Sequence, residues 1–307
     1  MLLKFDNEKE WLAARDPDIT STDIAPLFGL SPYKSRLKLW HIKRGTIEDD
    51  FEESNYTSWG KWLEVPVALK ICNDNGWTAE HLKLTYSTFP ELRLGSSYDV
   101  KINCLDRGDG HFEVKVAESF SEEQGWFPDK APIGYEFQMQ NQLHCLQKDK
   151  QGIKFNCLGT LGRRQTTRLY FREYDRELGS MIEDEVKSFW ASIQADIPPP
   201  PDYCVDGEIL EKLRKPLRSG DVINLTFDDR ANELAKLYDI YRRDRWVVQA
   251  NLQAFDDLMK PIKAELHDLI GRNERAIIGQ YQVGAKVQTN EETGSSFRRF
   301  DFSKRRK

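Results

Sequence analysis

Gly95-Ser-Ser-Tyr-Asp99 followed by His111-Phe-Glu113-Val-Lys115-Val116 is the stretch on which the reading of the chain turns. Along a β-strand successive side chains alternate faces, so Glu113 and Lys115 point one way while Phe112, Val114 and Val116 point the other. Asp99 precedes Glu113 by fourteen residues, and pairing of the two segments as a hairpin brings them side by side. Two carboxylates and an ammonium converging at strand ends can hold Mg²⁺ and a water over a phosphodiester. The motif is short, and Asp99–Lys101 and Glu185–Lys187 share its spacing. Its weight comes from what surrounds it.

Outward from that hairpin, residues 83–88, 92–103 and 111–117 read as strands, and Tyr135–Leu146 as a helix with Gln138, Gln140, Gln142 and His144 in its interior. Gln138 and Gln142 share a helix face by their i, i+4 spacing. Phe155–Leu161 and Thr167–Tyr174 read as two further strands around a Gly162-Arg-Arg-Gln turn, followed by a helix from Arg176 to about Ile197. Upstream, Asp6–Arg15 reads as a short helix. Ile19-Thr-Ser-Thr-Asp23 offers N-cap chemistry for Ile24–Phe28, a seat for a phosphate with Arg15 beside it. Ser31 opens a helix through Trp40, and the acidic run Glu48–Glu53 reads as a solvated loop. Ser58–Asn73 has helical spacing, with Pro66 expected to kink or restart it, and Glu64 sits among its apolar residues. The fold class expected is α/β (α+β), a mixed central sheet flanked by helices.

Pro198–Pro201 cannot continue a helix and marks the clearest boundary. The expected organisation is a catalytic core at 1–197, a proline linker at 198–202 and a helical region at 203–307. In that last region Leu234, Tyr241, Val248, Phe255, Ile262 and Leu269 recur every seven residues, predicting a long helix, kinked or restarted near Pro261, paired with another helix of the chain ahead of a free coiled coil. Ile277–Val287 and Ser296–Phe302 suggest a terminal hairpin, and Arg298, Arg299, Lys304, Arg305, Arg306 and Lys307 make a basic tail open to a DNA backbone.

The 307 residues carry a net charge of −5, so contact with nucleic acid rests on local patches. No apolar run spans a bilayer and the start has no signal-peptide pattern, which points to a cytoplasmic protein without membrane contact. Five scattered cysteines without a CxxC read as reduced thiols and exclude structural zinc or an iron–sulfur cluster.

The order of Trp11-x-x-x-Arg15, Ile19-Thr-Ser-Thr-Asp23-Ile-Ala25, Gly29-Leu-Ser-Pro-Tyr33, Gly60-Lys-Trp-Leu-Glu64, Ser97-Tyr-Asp99, Glu113-Val-Lys115 and Tyr135-Glu-Phe-Gln138-Met-Gln140 resembles the lambda-exonuclease-like, YqaJ-type viral recombinase branch of the PD-(D/E)xK nucleases. The resemblance covers about residues 6–195. It implies an enzyme that degrades the 5′-ended strand of linear duplex DNA, 5′→3′, with two Mg²⁺ or Mn²⁺ ions, leaving 3′ single-stranded tails for recombination in a bacterial or phage-infected cell. Asp99, Glu113 and the Val114 carbonyl would be metal ligands, assisted by Glu64. Lys115 would position or help deprotonate the attacking water, and Arg15, Thr22, Ser97 and Gln138 would receive a 5′-phosphate. Thr22 stands where relatives often have serine, and Tyr98 where they have a small residue or proline. Relatives form a ring of three, and a single-strand annealing protein is a further partner implied. The competing readings are an endonuclease of the same superfamily and an inactive DNA-binding or scaffold protein.

Overall fold

A computed structural model of the chain describes residues 1–49, 52–117, 120–162, 166–214, 220, 222–289 and 296–304. These residues fall into two compact units, Met1–Lys215 and Pro216–Lys307. The turn at Arg163–Gln165, part of the acidic run (Asp50, Phe51) and the tail residues Arg305, Arg306 and Lys307 lie outside the described residues.

The first unit runs β1 (Leu2–Lys4), α1 (Glu8–Arg15), α2 (Ile24–Leu27), α3 (Arg36–Arg44), α4 (Asn55–Asn75), β2 (Thr78–His81), β3 (Thr85–Phe89), β4 (Leu94–Ser97), β5 (Val100–Cys104), β6 (Gly108–Ala117), α5 (Ile133–Lys148), β7 (Phe155–Gly162), β8 (Thr167–Glu173), α6 (Arg176–Gln194) and α7 (Gly207–Leu213). Its helices start where short polar side chains can satisfy free backbone N–H groups. Asn7, Ser35, Ser54 and Asp175 each accept from the first turn of α1, α3, α4 and α6. Gly45 and Gly76, both in the left-handed conformation, close α3 and α4.

The central sheet has the order β2-β5-β6-β7-β8 and is antiparallel except for the parallel pair β6–β7. A second sheet, β1-β3-β4, is antiparallel. The alternation read from the sequence sorts the two faces of β6. Phe112 and Val114 meet Val67, Ala68 and Ile71 of α4 in one core, whereas Met139 of α5 packs with Leu158 of β7 on the opposite side. A third core joins α2, α3, α5 and α6 around Ile24, Leu39, Leu143 and Phe189.

Within this unit two expectations about its elements are corrected. Residues 92–103 do not form one strand, since β4 belongs to the small sheet and β5 to the central one. Tyr98 turns into the core with Leu94 and Trp40 while Val100 turns into the core with Phe112, so the chain must bend between them. Asp99 sits at that bend. Pro66 does not interrupt α4, which continues unbroken to Asn75. The mixed α/β class is as read. The Pro198–Pro201 run lies inside the first unit, where Asp206 accepts from Ser35 Oγ and from the Asp202 N–H, and Ile209 of α7 is buried.

In the second unit α8 (Asp229–Ile270) is one 42-residue helix that passes Pro261 without a break. An antiparallel sheet follows, β9 (Arg275–Ile278), β10 (Tyr281–Thr289) and β11 (Ser296–Lys304), in the order β11-β10-β9. Only the end of α8 packs on it, through Ile270 and Leu266 against Val283 and Phe300. Tyr241, Val248, Phe255 and Ile262 of the seven-residue stripe are exposed, and among the described residues no second helix of that unit pairs with them. All five cysteines are free.

Candidate active site

The bend at Asp99 and the antiparallel register of β5 with β6 decide where the chemistry lies. Val100 pairs with Phe112, so Asp99 falls opposite Glu113. Asp99 Oδ2 accepts from the Val114 N–H at 3.1 Å. Glu113 and Lys115 point to the same face, and the Lys115 ammonium donates directly to Glu113 Oε1. From α5, Gln138 Nε2 donates to Glu113 Oε1 at 2.6 Å and Gln142 Nε2 to Glu113 Oε2 at 2.6 Å. Both oxygens of Glu113 are therefore met by protein donors.

The electrostatics follow from burial and crowding. Burial, then the charges of Glu113 and Glu64, pushes Asp99 well above the usual carboxylate range, against the pull of Lys115 and the Val114 N–H. Glu64, on α4, is raised by burial and by Glu113. Burial also works against Glu113, but Lys115, His111 and the bond from Gln142 outweigh it and leave this carboxyl below its ordinary value. Burial would lower Lys115, yet Glu113 and Asp99 overcome it and hold the amine firmly protonated. Burial takes His111 down to about 4, so its ring is neutral.

A cavity of about 880 Å³ opens over this cluster. All nine residues singled out from the sequence line it: Asp99, Glu113, Val114, Lys115, Glu64, Arg15, Thr22, Ser97 and Gln138. Gln138 reaches Glu113 rather than standing apart from the carboxylates. The Arg15 guanidinium stacks on Trp11, 4.0 Å from the ring centroid, and its Nε is buried with no hydrogen-bond partner. Ser97 Oγ is likewise buried and unpartnered. Such orphaned donors are rare in folded chains, and two of them on one cavity wall suit an anionic ligand. Thr22 is exposed, its hydroxyl paired with Thr20 at 3.0 Å. Asp23, at the N-terminus of α2, accepts from the Thr20 N–H and hydroxyl and makes no side-chain cap to that helix.

The donor set around Asp99, Glu113 and Glu64 is oxygen only, the chemistry that suits a hard divalent cation, and the repulsion that raises Asp99 and Glu64 is what such a cation relieves. Among the described residues, however, no group of three or more His, Cys, Asp or Glu side chains is arranged as a ready metal site. The two observations differ because Glu113 is capped by Lys115 and the glutamines. The residue types fit a hard divalent cation.

Sequence reading missed Gln142 as a site residue, although its shared face with Gln138 was the available signal. It also missed His111, whose Nε2 accepts from the Asp99 N–H at 3.1 Å, and Asn156, which donates to Gln142 Oε1 at 2.7 Å. Neither carries a motif.

Fold and site define an α/β domain whose buried Asp/Glu/Lys cluster sits where two sheets meet beneath an anion-ready wall. Residues 10–149 match the YqaJ-like viral recombinase domain, the family whose likeness the motifs carry. No curated protein matches the chain. Among solved structures, an alkaline exonuclease from Laribacter hongkongensis is 21% identical, over 67% of this chain and 97% of its own, with a TM-score of 0.48. A phage-related exonuclease from Haemophilus somnus is 12% identical, over 59% of this chain and 96% of its own, with a TM-score of 0.43. No helix among the described residues is long and apolar enough to cross a membrane.

Proposed function

We propose that the chain is a divalent-metal-dependent deoxyribonuclease that degrades the 5′-ended strand of linear duplex DNA in the 5′→3′ direction. The observation that carries this reading is the one cavity lined both by Asp99, Glu113, Glu64 and Lys115 and by Arg15 and Ser97, with their unpartnered donors. The match to the YqaJ-like viral recombinase domain supports a nuclease over other uses of such a cluster.

Asp99, Glu113, Glu64 and the Val114 carbonyl would hold Mg²⁺ or Mn²⁺, two ions by resemblance. The metal would supply an activated water and charge neutralisation at the scissile phosphate. Lys115, whose ammonium sits against Glu113, would position or help deprotonate the attacking water and counter the developing charge. Arg15, Ser97 and Thr22 receive a terminal 5′-phosphate, a backbone contact that selects ends and not sequence. Gln138, which also donates to Glu113, would join them in that pocket. By the same resemblance the working form is a homo-oligomer, a ring of three around DNA, feeding an annealing protein inside a bacterial or phage-infected cell.

The test is end-labelled linear duplex carrying 5′-phosphate or 5′-hydroxyl, digested with and without Mg²⁺, beside closed circular DNA. The expected result is Mg²⁺-dependent loss of the 5′-ended strand, faster from 5′-phosphate. Circular DNA cut as fast as linear would replace the exonuclease with an endonuclease, and no activity on any DNA would leave an inactive binding protein.

A further inference from the structure

We propose that Gln142, Asn156 and His111 are positioning residues, a buried hydrogen-bonded relay that locks the Glu113 carboxylate and the backbone of Asp99 into one arrangement. The inference rests on the nuclease reading of the site. It concerns three side chains with no motif of their own, two of which, His111 and Asn156, stand outside the lining of the cavity.

The three are nearly sealed from water, with exposures of 1% for Gln142, 0% for Asn156 and 1% for His111. Polar groups buried so deeply are costly unless their donors and acceptors are matched. The relay begins at a donor that cannot change, the Asp99 backbone N–H, which points at His111 Nε2. A neutral imidazole that accepts at Nε2 carries its proton on Nδ1. His111 and Asn156 are direct partners in the parallel register of β6 and β7, so their side chains share a face. There the imidazole Nδ1 and the Asn156 amide oxygen are both buried without a hydrogen-bond partner, and each is the complement that the other lacks. The Asn156 amide nitrogen donates to Gln142 Oε1. Gln142 in turn must present its own nitrogen to Glu113 Oε2. The relay ends at a group that can only accept.

Donor and acceptor alternate without conflict from one end to the other. A lone glutamine beside a carboxylate has two amide orientations of similar packing, and one would set oxygen against oxygen. Here the orientation is dictated from β6, through β7, to α5. Partners one step behind a metal-binding carboxylate act in this manner, orienting it and tuning its affinity, and their loss typically weakens metal binding about 10- to 100-fold.

Mn²⁺ affinity, measured by the electron paramagnetic resonance of free Mn²⁺, and thermal unfolding should be compared for the full-length wild type, Gln142→Met, Asn156→Ser and the double variant. Each single change is expected to weaken Mn²⁺ binding about 10-fold or more, and the double variant no further than the worse single, because one broken link disables the whole relay. Folded single variants that bind Mn²⁺ as the wild type does, or penalties that multiply in the double variant, overturn the relay. If Asn156→Ser does not fold, Asn156→Asp keeps the size and reverses the polarity. Its carboxylate forces the Gln142 nitrogen towards β7 and its oxygen onto Glu113, so binding should weaken despite the added negative charge. Unchanged or tighter binding overturns the proposal. Wild-type protein that binds no Mn²⁺ overturns the function proposed for the site, and the relay with it, and is told apart by needing no variant.

Discussion

Burial works against the charge on Lys115, yet Glu113 and Asp99 outweigh it, and the same ammonium favours the ionised Glu113. Removing that charge leaves Glu113 buried beside two raised carboxyls with only amide donors. Lys115→Ala should therefore reduce digestion of linear duplex by about 10²–10³-fold, the usual cost of losing one preorganised stabilising group. DNA binding, measured by gel shift in Ca²⁺, should stay close to wild type, because the change leaves the Arg15 wall in place. A variant that cuts at the wild-type rate would move the chemistry elsewhere. This cluster is legible in the sequence, since period-two alternation sets Glu113 and Lys115 on one face whatever the rest of the chain does. Gln142 is not. An uncharged amide carries no signature by itself, and the partner of its oxygen, Asn156, reaches it from a separate strand.

At the scale of elements, the central strands depend on close approach as much as on pattern. A Cβ at Gly159 of β7 would lie 2.1 Å from Phe112 Cζ, whose ring fills the space over the glycine against α4. Gly159→Ala forces that fully buried ring to move, and should destabilise the domain by about 1–3 kcal/mol, read from chemical denaturation. A second element contact links α5 to α6, where Glu183 Oε1 meets His144 Nε2 at 2.9 Å and Lys148 Nζ at 2.7 Å. Burial favours the neutral Glu183, but Lys148 and His144 prevail and lower its pKa. Burial lowers His144 below its ordinary value, only partly offset by Glu183. Both folded groups bind fewer protons than in the unfolded chain. Their contribution is thus present above about pH 6.5 for His144 and above about pH 4.5 for Glu183, and is lost as pH falls through each folded value. Tm should fall on acidification across that range, and Glu183→Gln should flatten the lower part of the fall while costing about 1–3 kcal/mol at neutral pH. Sequence located these helices and strands by their periodicity. It missed the bend that splits residues 92–103, because Tyr98 and Val100 are both apolar and only the tertiary cores tell them apart. Pro66 misled for a related reason, since the packing of Val67, Ala68 and Ile71 on the sheet carries α4 past a residue that breaks isolated helices.

At the scale of the whole chain, every residue of the candidate site and every core that supports it lies within Met1–Lys215. The second unit has a small core of its own at Ile270 and Val283, and a helix whose seven-residue apolar stripe is open along most of its length. An apolar helix face repeated in this way is the form in which helices associate, but association is not what the cavity requires. A protein ending at Lys215 should therefore keep a cooperative thermal transition and digest 5′-phosphorylated linear duplex within about threefold of the full chain's rate per protomer, since every residue lining the cavity belongs to the first unit and independent changes add within about 0.5 kcal/mol. Light scattering on both proteins then separates the two routes to an oligomer. A truncated protein that keeps the full chain's assembly state places the contacts in the first unit and leaves α8 for another use. One that falls to the monomer while still cutting assigns assembly to the stripe on α8, and shows that a single copy holds a complete site.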